Sequence, residues 1–476
     1  MSSNNEANVD GNQNIVIQDI KDATITLNVN GDLTEVKNDL SAVKEILEKF
    51  HAHTFQSGKD TYNIDQIDSA NFGFITGKKT FNQMLTTRLI QALKPHNNSA
   101  NKFLTKVTNI KDWEAQKQIT NKAKEIIAYS FVGVIGIQLR KIMAIGEESF
   151  SEKKQHSYIE NCINTTKRAL ELVCFSLLSK LWDHQRQNFT TLNPEHSEVI
   201  AHFFNNAFEG NILQTFELLR TLISVYDQHN LEYPLQELGA GKEGLNEDSD
   251  FAKACEKMQS INVLLDTETY TSLDCYEAEK NLTTILEGLV FLAAYRMVSI
   301  KAISYEEMRN SQSYYLHSYT TLGISVKSEI NPERINYTEE PINTDAILLF
   351  KSKGNYSQSI NLSPFVIDLN ALTFEGGVKI CFYSCRKLED ESLNYRFLDN
   401  NEIENIVFKD INKSISNADE QQERQALNEL MKDNNKHIEY KLDSVFQMFQ
   451  EASKTILGQI ETEIDFSDID DDEPEF

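Results

Sequence analysis

Gly73-Phe74-Ile75-Thr76-Gly77-Lys78-Lys79-Thr80 is the stretch whose residue types come nearest to a recognisable chemistry. A phosphate-cradling loop needs a strand, a GxxxxGK step ending in Ser or Thr, and a helix whose first amides face the phosphates. Apolar residues 72–75 precede the loop and a helical pattern follows it, but the spacing is one residue short. Lys79 also stands where the magnesium-binding hydroxyl belongs. A capped helix start explains the same residues, with Thr80 at the N-cap and Gln83 three positions on.

The other reactive side chains are scattered. His196 and His202 share a predicted helix, but six-residue spacing does not place them on adjacent turns of one face, so a metal site is not expected. Cys381 and Cys385 fall in a predicted strand with both thiols on one side, and no second Cys or His pair completes a zinc set. Glu152-x-Lys154 and Glu439-x-Lys441 match the end of a nuclease pattern without the strand-borne Asp that precedes it. Tyr314, Tyr315, His317 and Tyr319 offer rings for stacking, or simply seat a helix-to-sheet junction. No catalytic residue, metal or cofactor is expected from these patterns, although triads are spatial and need no sequence signature.

Composition narrows the class. Only 7 prolines and 18 glycines occur in 476 residues, which favours long helices over a many-turned β architecture. Six cysteines without framework spacing read as reduced thiols of a cytoplasmic protein. The polar start is unlike a signal peptide, and the apolar stretch 126–139 is too short to span a bilayer. A net charge of −26 argues against general nucleic-acid binding. The average hides an asymmetry: residues 78–154 carry 14 Lys and Arg against 6 Asp and Glu, while residues 461–476 carry 9 acids and no base. Lys102, Lys106, Lys111, Lys117 and Lys122 are the candidate basic surface.

The expected fold is α+β, mainly α. Residues 1–31 read as a β-hairpin association segment, with Ile15 and Ile17 on one run and Ile25, Leu27 and Val29 on the next. Residues 32–54 read as a heptad helix, since Leu33, Val36, Leu40, Val43, Leu47 and Phe50 are spaced 3, 4, 3, 4, 3. An isolated hairpin is marginal and so is a lone helix of this length, so burial against copies of the chain is the expected use of both. A linker (55–75) leads to a helical domain (76–310), with helices near 118–145, 157–184, 195–208, 212–229, 251–266 and 274–304. A small antiparallel α+β module (311–412) takes its strands from 346–350, 360–369, 378–388 and 393–398. A helical segment (413–461) and an acidic tail without fixed structure (462–476) finish the chain.

Three resemblances follow from these residues. The segment 11–31 is similar to short β segments that open many bacterial conflict-system proteins, where they serve association. Leu362–Asp368 with Lys379–Tyr383 resembles small β modules downstream of bacterial signalling and defence domains. The tail, with Phe466, Ile469, Asp470, Asp471, Asp472 and a terminal Phe476, resembles the acidic tip of bacterial single-stranded-DNA-binding proteins, which docks on partner enzymes, although Glu475 interrupts the Pro-Phe end. The resemblances imply an oligomeric scaffold or sensor of antiviral defence, with a protein partner encoded nearby and no membrane association. The alternatives are an effector enzyme, nuclease or nucleotide-processing, with a site between helices, and a nucleic-acid-binding protein using residues 78–154.

Overall fold

The computed structural model describes residues 81–107, 113–146, 152–188, 190–205, 211–307, 309, 313–322, 333–337, 345–351, 358–387, 389–411 and 432–458, all within one compact unit, Asn71–Phe476. The expected hairpin and heptad helix (Ile15 to Phe50), the loop at 73–80, Lys111 and the tail residues Phe466 to Phe476 lie outside the described residues.

The fold is mainly helical with two small antiparallel sheets. The helical part runs α1 (Gln83–Ala92), α2 (Asn98–Lys106), α3 (Trp113–Ser130), α4 (Gly133–Ile145), α5 (Glu152–Gln187), α6 (Pro194–Asn205), α7 (Ile212–Gln228), α8 (Gln236–Gly241), α9 (Asp250–Asp266) and α10 (Ser272–Gly288). The strands are β1 (Tyr295–Glu306), β2 (Tyr314–Thr321), β3 (Glu333–Tyr337), β4 (Ile347–Lys351), β5 (Ile360–Asn361), β6 (Val366–Asp368), β7 (Ile380–Lys387), β8 (Ser392–Phe397) and β9 (Ile403–Val407). A one-turn helix α11 (Leu369–Leu372) follows β6, and α12 (Asn434–Leu457) closes the described chain.

Helix α5 is the axis. Its 36 residues contain neither Gly nor Pro, so nothing interrupts the backbone ladder. It packs against α4, α7, α9, α10 and α12 and touches β5. A helix surrounded on this many sides must be apolar over most of its girth. Accordingly Ile159, Cys162, Leu170, Val173, Cys174, Leu177, Leu178 and Leu181 are all buried. One contiguous core joins these residues to the helices and to both sheets, through Phe365, Phe382, Tyr383, Phe446 and Phe449.

The helix expected near 118–145 is two, α3 and α4, broken at residues 131–132, and two further elements depart from expectation for identifiable reasons. The helix expected over 274–304 ends at Gly288, and a 3₁₀ turn then leads into β1. Residues 289–300 are an apolar run whose period is hidden because β1 is buried on both faces. Met297 faces the main core, whereas Val298 and Ile300 join a second cluster with Tyr319, Leu348 and Phe350. A strand covered on both sides loses its alternation. The expected pair of one-sided thiols also fails. Cys381 pairs with Phe397 but Cys385 pairs with Asn394, because Ser384 is an extra residue in β7. An odd step along β8 puts the two thiols on opposite faces.

Thr80 of the expected capping box lies outside the described residues. Helix α1 starts at Gln83 behind Asn82, whose φ of 70° is left-handed and whose side chain does not cap. The orphan amides are taken by Glu279 of α10: Asn82 N donates to Oε2 at 2.9 Å and Leu85 N to Oε1 at 3.1 Å. One carboxylate from a distant helix does both halves of a capping box. Tyr158 Oη lies 2.8 Å from both Glu279 and Asn82 Oδ1, and Asn82 Nδ2 donates to the carbonyl of Met143 at the end of α4. Gly146 is required beside this hub, since a Cβ there would come within 2.1 Å of Asn82 Nδ2.

A second buried carboxylate ties the sheets together. The first sheet has the order β3-β2-β1-β4-β5 and the second β6-β7-β8-β9. Asp368, fully buried at the end of β6, accepts from Ser299 Oγ (2.7 Å) and Lys301 Nζ of β1 and from Lys379 N (2.9 Å) before β7. Lys301 is the extra residue of a bulge in β1 between Ile300 and Ala302. The bulge frees its side chain from the ladder alternation and lets it reach across to Asp368.

Candidate anion-binding cleft

Four polar residues of α5, Asn164, Lys167, Arg168 and Glu171, stand at i, i+3, i+4 and i+7, which is one helical face. That face meets the second sheet at the β7 bulge. Ser384 and Arg396 come from the sheet side, and with the α5 residues they line a narrow cleft whose enclosed space is about 10 Å³, room for one water beneath an open mouth. Register explains the meeting. Phe382 and Arg396 are cross-strand partners, so both point to the side of the sheet that Arg168 covers, with its guanidinium 4.9 Å from the Phe382 ring centre.

Arg168 is the deepest cation, 3% exposed. Its Nη1 donates to Glu171 Oε2 at 2.7 Å, but its buried Nε has no hydrogen-bond partner. A buried N–H of a charged group left without an acceptor is costly and uncommon in native interiors. Among the described residues, Lys167 Nζ reaches only the amide oxygen of Asn262 in α9, at 3.3 Å, and Arg396 Nη2 only Ser384 Oγ, at 3.4 Å. Both contacts are long and have neutral acceptors, whereas charge-assisted bonds normally close to about 2.7–2.9 Å. Three cations therefore share one hollow, and Glu171 is the single carboxylate that lines it.

The crowding is visible in the titration of Lys167. Burial, and then the neighbouring Arg396, push its ammonium down to about 8, against the opposing pull of Glu171 and Asp266. The sign for folding follows from the proton count. Between about 8 and the ordinary 10.5 the unfolded chain holds the proton that the folded chain has lost, so stability rises with pH across that window. The contribution is present above 10.5 and is lost as pH falls through about 8. Replacing Lys167 with Met is expected to abolish this rise, which denaturant midpoints at pH 7.5, 9 and 10.5 will register. A midpoint difference between the two proteins that stays constant across those pH values contradicts it.

The residues singled out by sequence are placed elsewhere. Lys102 and Lys106 are exposed on α2 and Lys117 and Lys122 on α3, with Lys122 bonded to Glu125 at 2.7 Å. His196 is buried on α6, and His202 lies 3.4 Å from Gln214 Nε2 of α7. Among the described residues no group of three His, Cys, Asp or Glu is arranged to hold a metal ion. Glu439 of α12 pairs with Lys409, and Lys441 with Asp345, both at 2.7 Å. Tyr314 and Tyr315 are half-buried on β2 while His317 and Tyr319 are buried, the arrangement of a structural strand.

None of the cleft residues was picked out by sequence. The available signal was local: Asn164, Arg168 and Glu171 continue the same stripe as buried Phe175, so a cation stands on an inward-facing line of α5. A wider hollow of about 430 Å³ lies between residues 190–197 and the end of α12, but Thr190, Thr191, Leu192, Pro194, Ser197, Ile456, Leu457 and Gly458 give it no charged side chain. No helix among the described residues is long and apolar enough to cross a membrane. Set against protein-family models, curated proteins and solved structures, the chain matches none of them.

Proposed function

We propose that this protein is a sensor that takes an anionic group into the cleft between α5 and the second sheet. The observation that carries this reading is Arg168: a nearly fully buried guanidinium with an unpartnered Nε, flanked by Lys167 and Arg396, whose partners among the described residues are neutral and distant. An anion at this position supplies the acceptors that the three cations lack. Binding would draw α5 toward Ser384 and Arg396, and so couple the helical body to the second sheet.

The rest of the proposal rests on sequence. Association through Ile15, Ile17, Ile25, Leu27, Val29 and the stripe Leu33 to Phe50 would gather the sensors into an oligomer, as the notched heptad spacing supports. The likeness of residues 11–31 to association segments of bacterial conflict systems supports a setting in antiviral defence. Calorimetry with sulfate and inorganic phosphate tests the sensor reading: saturable binding is expected for the full chain and strong weakening for Lys167→Met, a rim change that spares the core. Heat signals indistinguishable from dilution for both anions refute it. Mass photometry tests assembly, with the full chain expected to be a multiple of one that starts at residue 55. Equal masses per chain remove the oligomer from the proposal.

A further inference from the structure

We propose that the cleft is built for the terminal phosphate of a small organic phosphate monoester. The inference rests on the anion-binding reading above and narrows it to a ligand class. Three geometric facts point the same way, beginning with charge. Arg168 and Glu171 neutralise each other at 2.7 Å, which leaves Lys167 and Arg396 as two cations without an ion pair among the described residues. Two positive charges match a phosphate monoester, which carries between −1.5 and −2 at neutral pH, better than a carboxylate or a diester with its single charge.

The second fact is the donor set. Lys167, Arg396, Asn164 and Ser384 line one hollow, with the unpartnered Arg168 Nε buried beside it. Four donor side chains exceed what the two oxygens of a carboxylate use comfortably, and they suit the three terminal oxygens of a phosphoryl group. The hollow is narrow, so it holds a terminal group at its mouth and leaves the remainder of the ligand outside. A phosphodiester within a nucleic-acid chain offers no such terminal group.

The third fact is what adjoins the mouth. Ile403 of β9 pairs across from Arg396, so the two side chains share a face of the sheet, and Ile403 is 58% exposed. Val407, on the same face four ladder pairs along, is 45% exposed. A cation and an apolar platform side by side fit an organic phosphate whose carbon-bearing part lies over Ile403.

Titration calorimetry of the full chain with five probes decides the matter: phenyl phosphate, inorganic phosphate, sulfate, dimethyl phosphate and acetate. Phenyl phosphate is expected to bind tightest, and dimethyl phosphate and acetate about 10-fold or more weaker than inorganic phosphate. Arg396→Gln is expected to weaken both phosphate ligands by about 10- to 100-fold, the range for losing a hydrogen bond to a charged group. Ile403→Ser should weaken phenyl phosphate and leave inorganic phosphate unchanged. Affinity for phenyl phosphate should fall below about pH 6, where the monoester dianion is lost, while that for sulfate stays level. Equal affinities for all five probes would overturn the monoester inference and leave the anion reading standing. Absence of binding by any probe would overturn both.

Discussion

Glu279→Ala is expected to lower the folding free energy by about 3–5 kcal/mol, from about 1–3 kcal/mol for each buried donor left without its acceptor. The carboxylate is nearly fully buried, and it holds the amides of Asn82 and Leu85 and the Tyr158 hydroxyl together. Alanine leaves the two amides without acceptors at a helix start, and a side chain of α1 cannot replace them because Asn82 is turned to the α4 carbonyls. Glu279→Gln is expected to cost less, about 1–3 kcal/mol, since one oxygen survives while the amide nitrogen confronts a backbone N–H. Urea midpoints of the three proteins give the comparison. An alanine variant within 1 kcal/mol of the wild type would show that the hub contributes little beyond packing.

The same residue carries a pH signature. Burial raises the Glu279 carboxyl above its ordinary 4.5, against the lowering effect of the Asn82, Leu85 and Tyr158 hydrogen bonds. Above 4.5 the unfolded chain has lost the proton that the folded chain still holds, so stability falls as pH rises toward the folded value. This contribution is fully present below 4.5 and gone above the raised value. Glu279→Gln, which does not titrate, should therefore close part of its gap to the wild type as pH rises through that window.

Asp368→Ala is expected to be comparably damaging, about 3–5 kcal/mol, for a different reason. Asp368 is the acceptor for Ser299 and Lys301 of one sheet and for the Lys379 amide of the other. Its loss strands the Ser299 hydroxyl and the Lys379 amide in the seam and removes the counter-charge of Lys301, whose side chain is 24% exposed. Removing both charges separates stability from specificity. Asp368→Leu with Lys301→Met is expected to recover much of the loss, because a well-packed apolar pair is often neutral relative to a buried ion pair. A double variant no better than Asp368→Ala in thermal unfolding would mean that the backbone contact to Lys379, rather than the ion pair, holds the seam.

The sequence made some of this architecture legible. Helix α7 was expected over 212–229 and spans 212–228; α9 was expected over 251–266 and spans 250–266. Both begin at a side chain that accepts from the first turn, Asn211 and Ser249, so the local signal was complete. The strands at 347–351, 380–387 and 392–397 were likewise expected close to where they lie. Failures came where the deciding partner is distant. The acceptor that starts α1 lies 197 residues downstream, and β1 lost its alternation to burial on both faces. The cleft was illegible for the same reason: Lys167 and Arg396 are about 230 residues apart, and only the sheet register and the packing of α5 bring them together.

The two bulges give chain length a meaning of its own. Each strand that carries one contains a frame shift: beyond Lys301 in β1 and beyond Ser384 in β7, inward and outward positions exchange places. Substituting either residue alters one side chain, whereas losing it would restore the plain two-residue period. Cys385 and Lys387 would then exchange faces with Arg386, which now lies 5.8 Å from the Phe446 ring. Related chains that keep this fold should therefore conserve the residue count between the flanking ladder pairs.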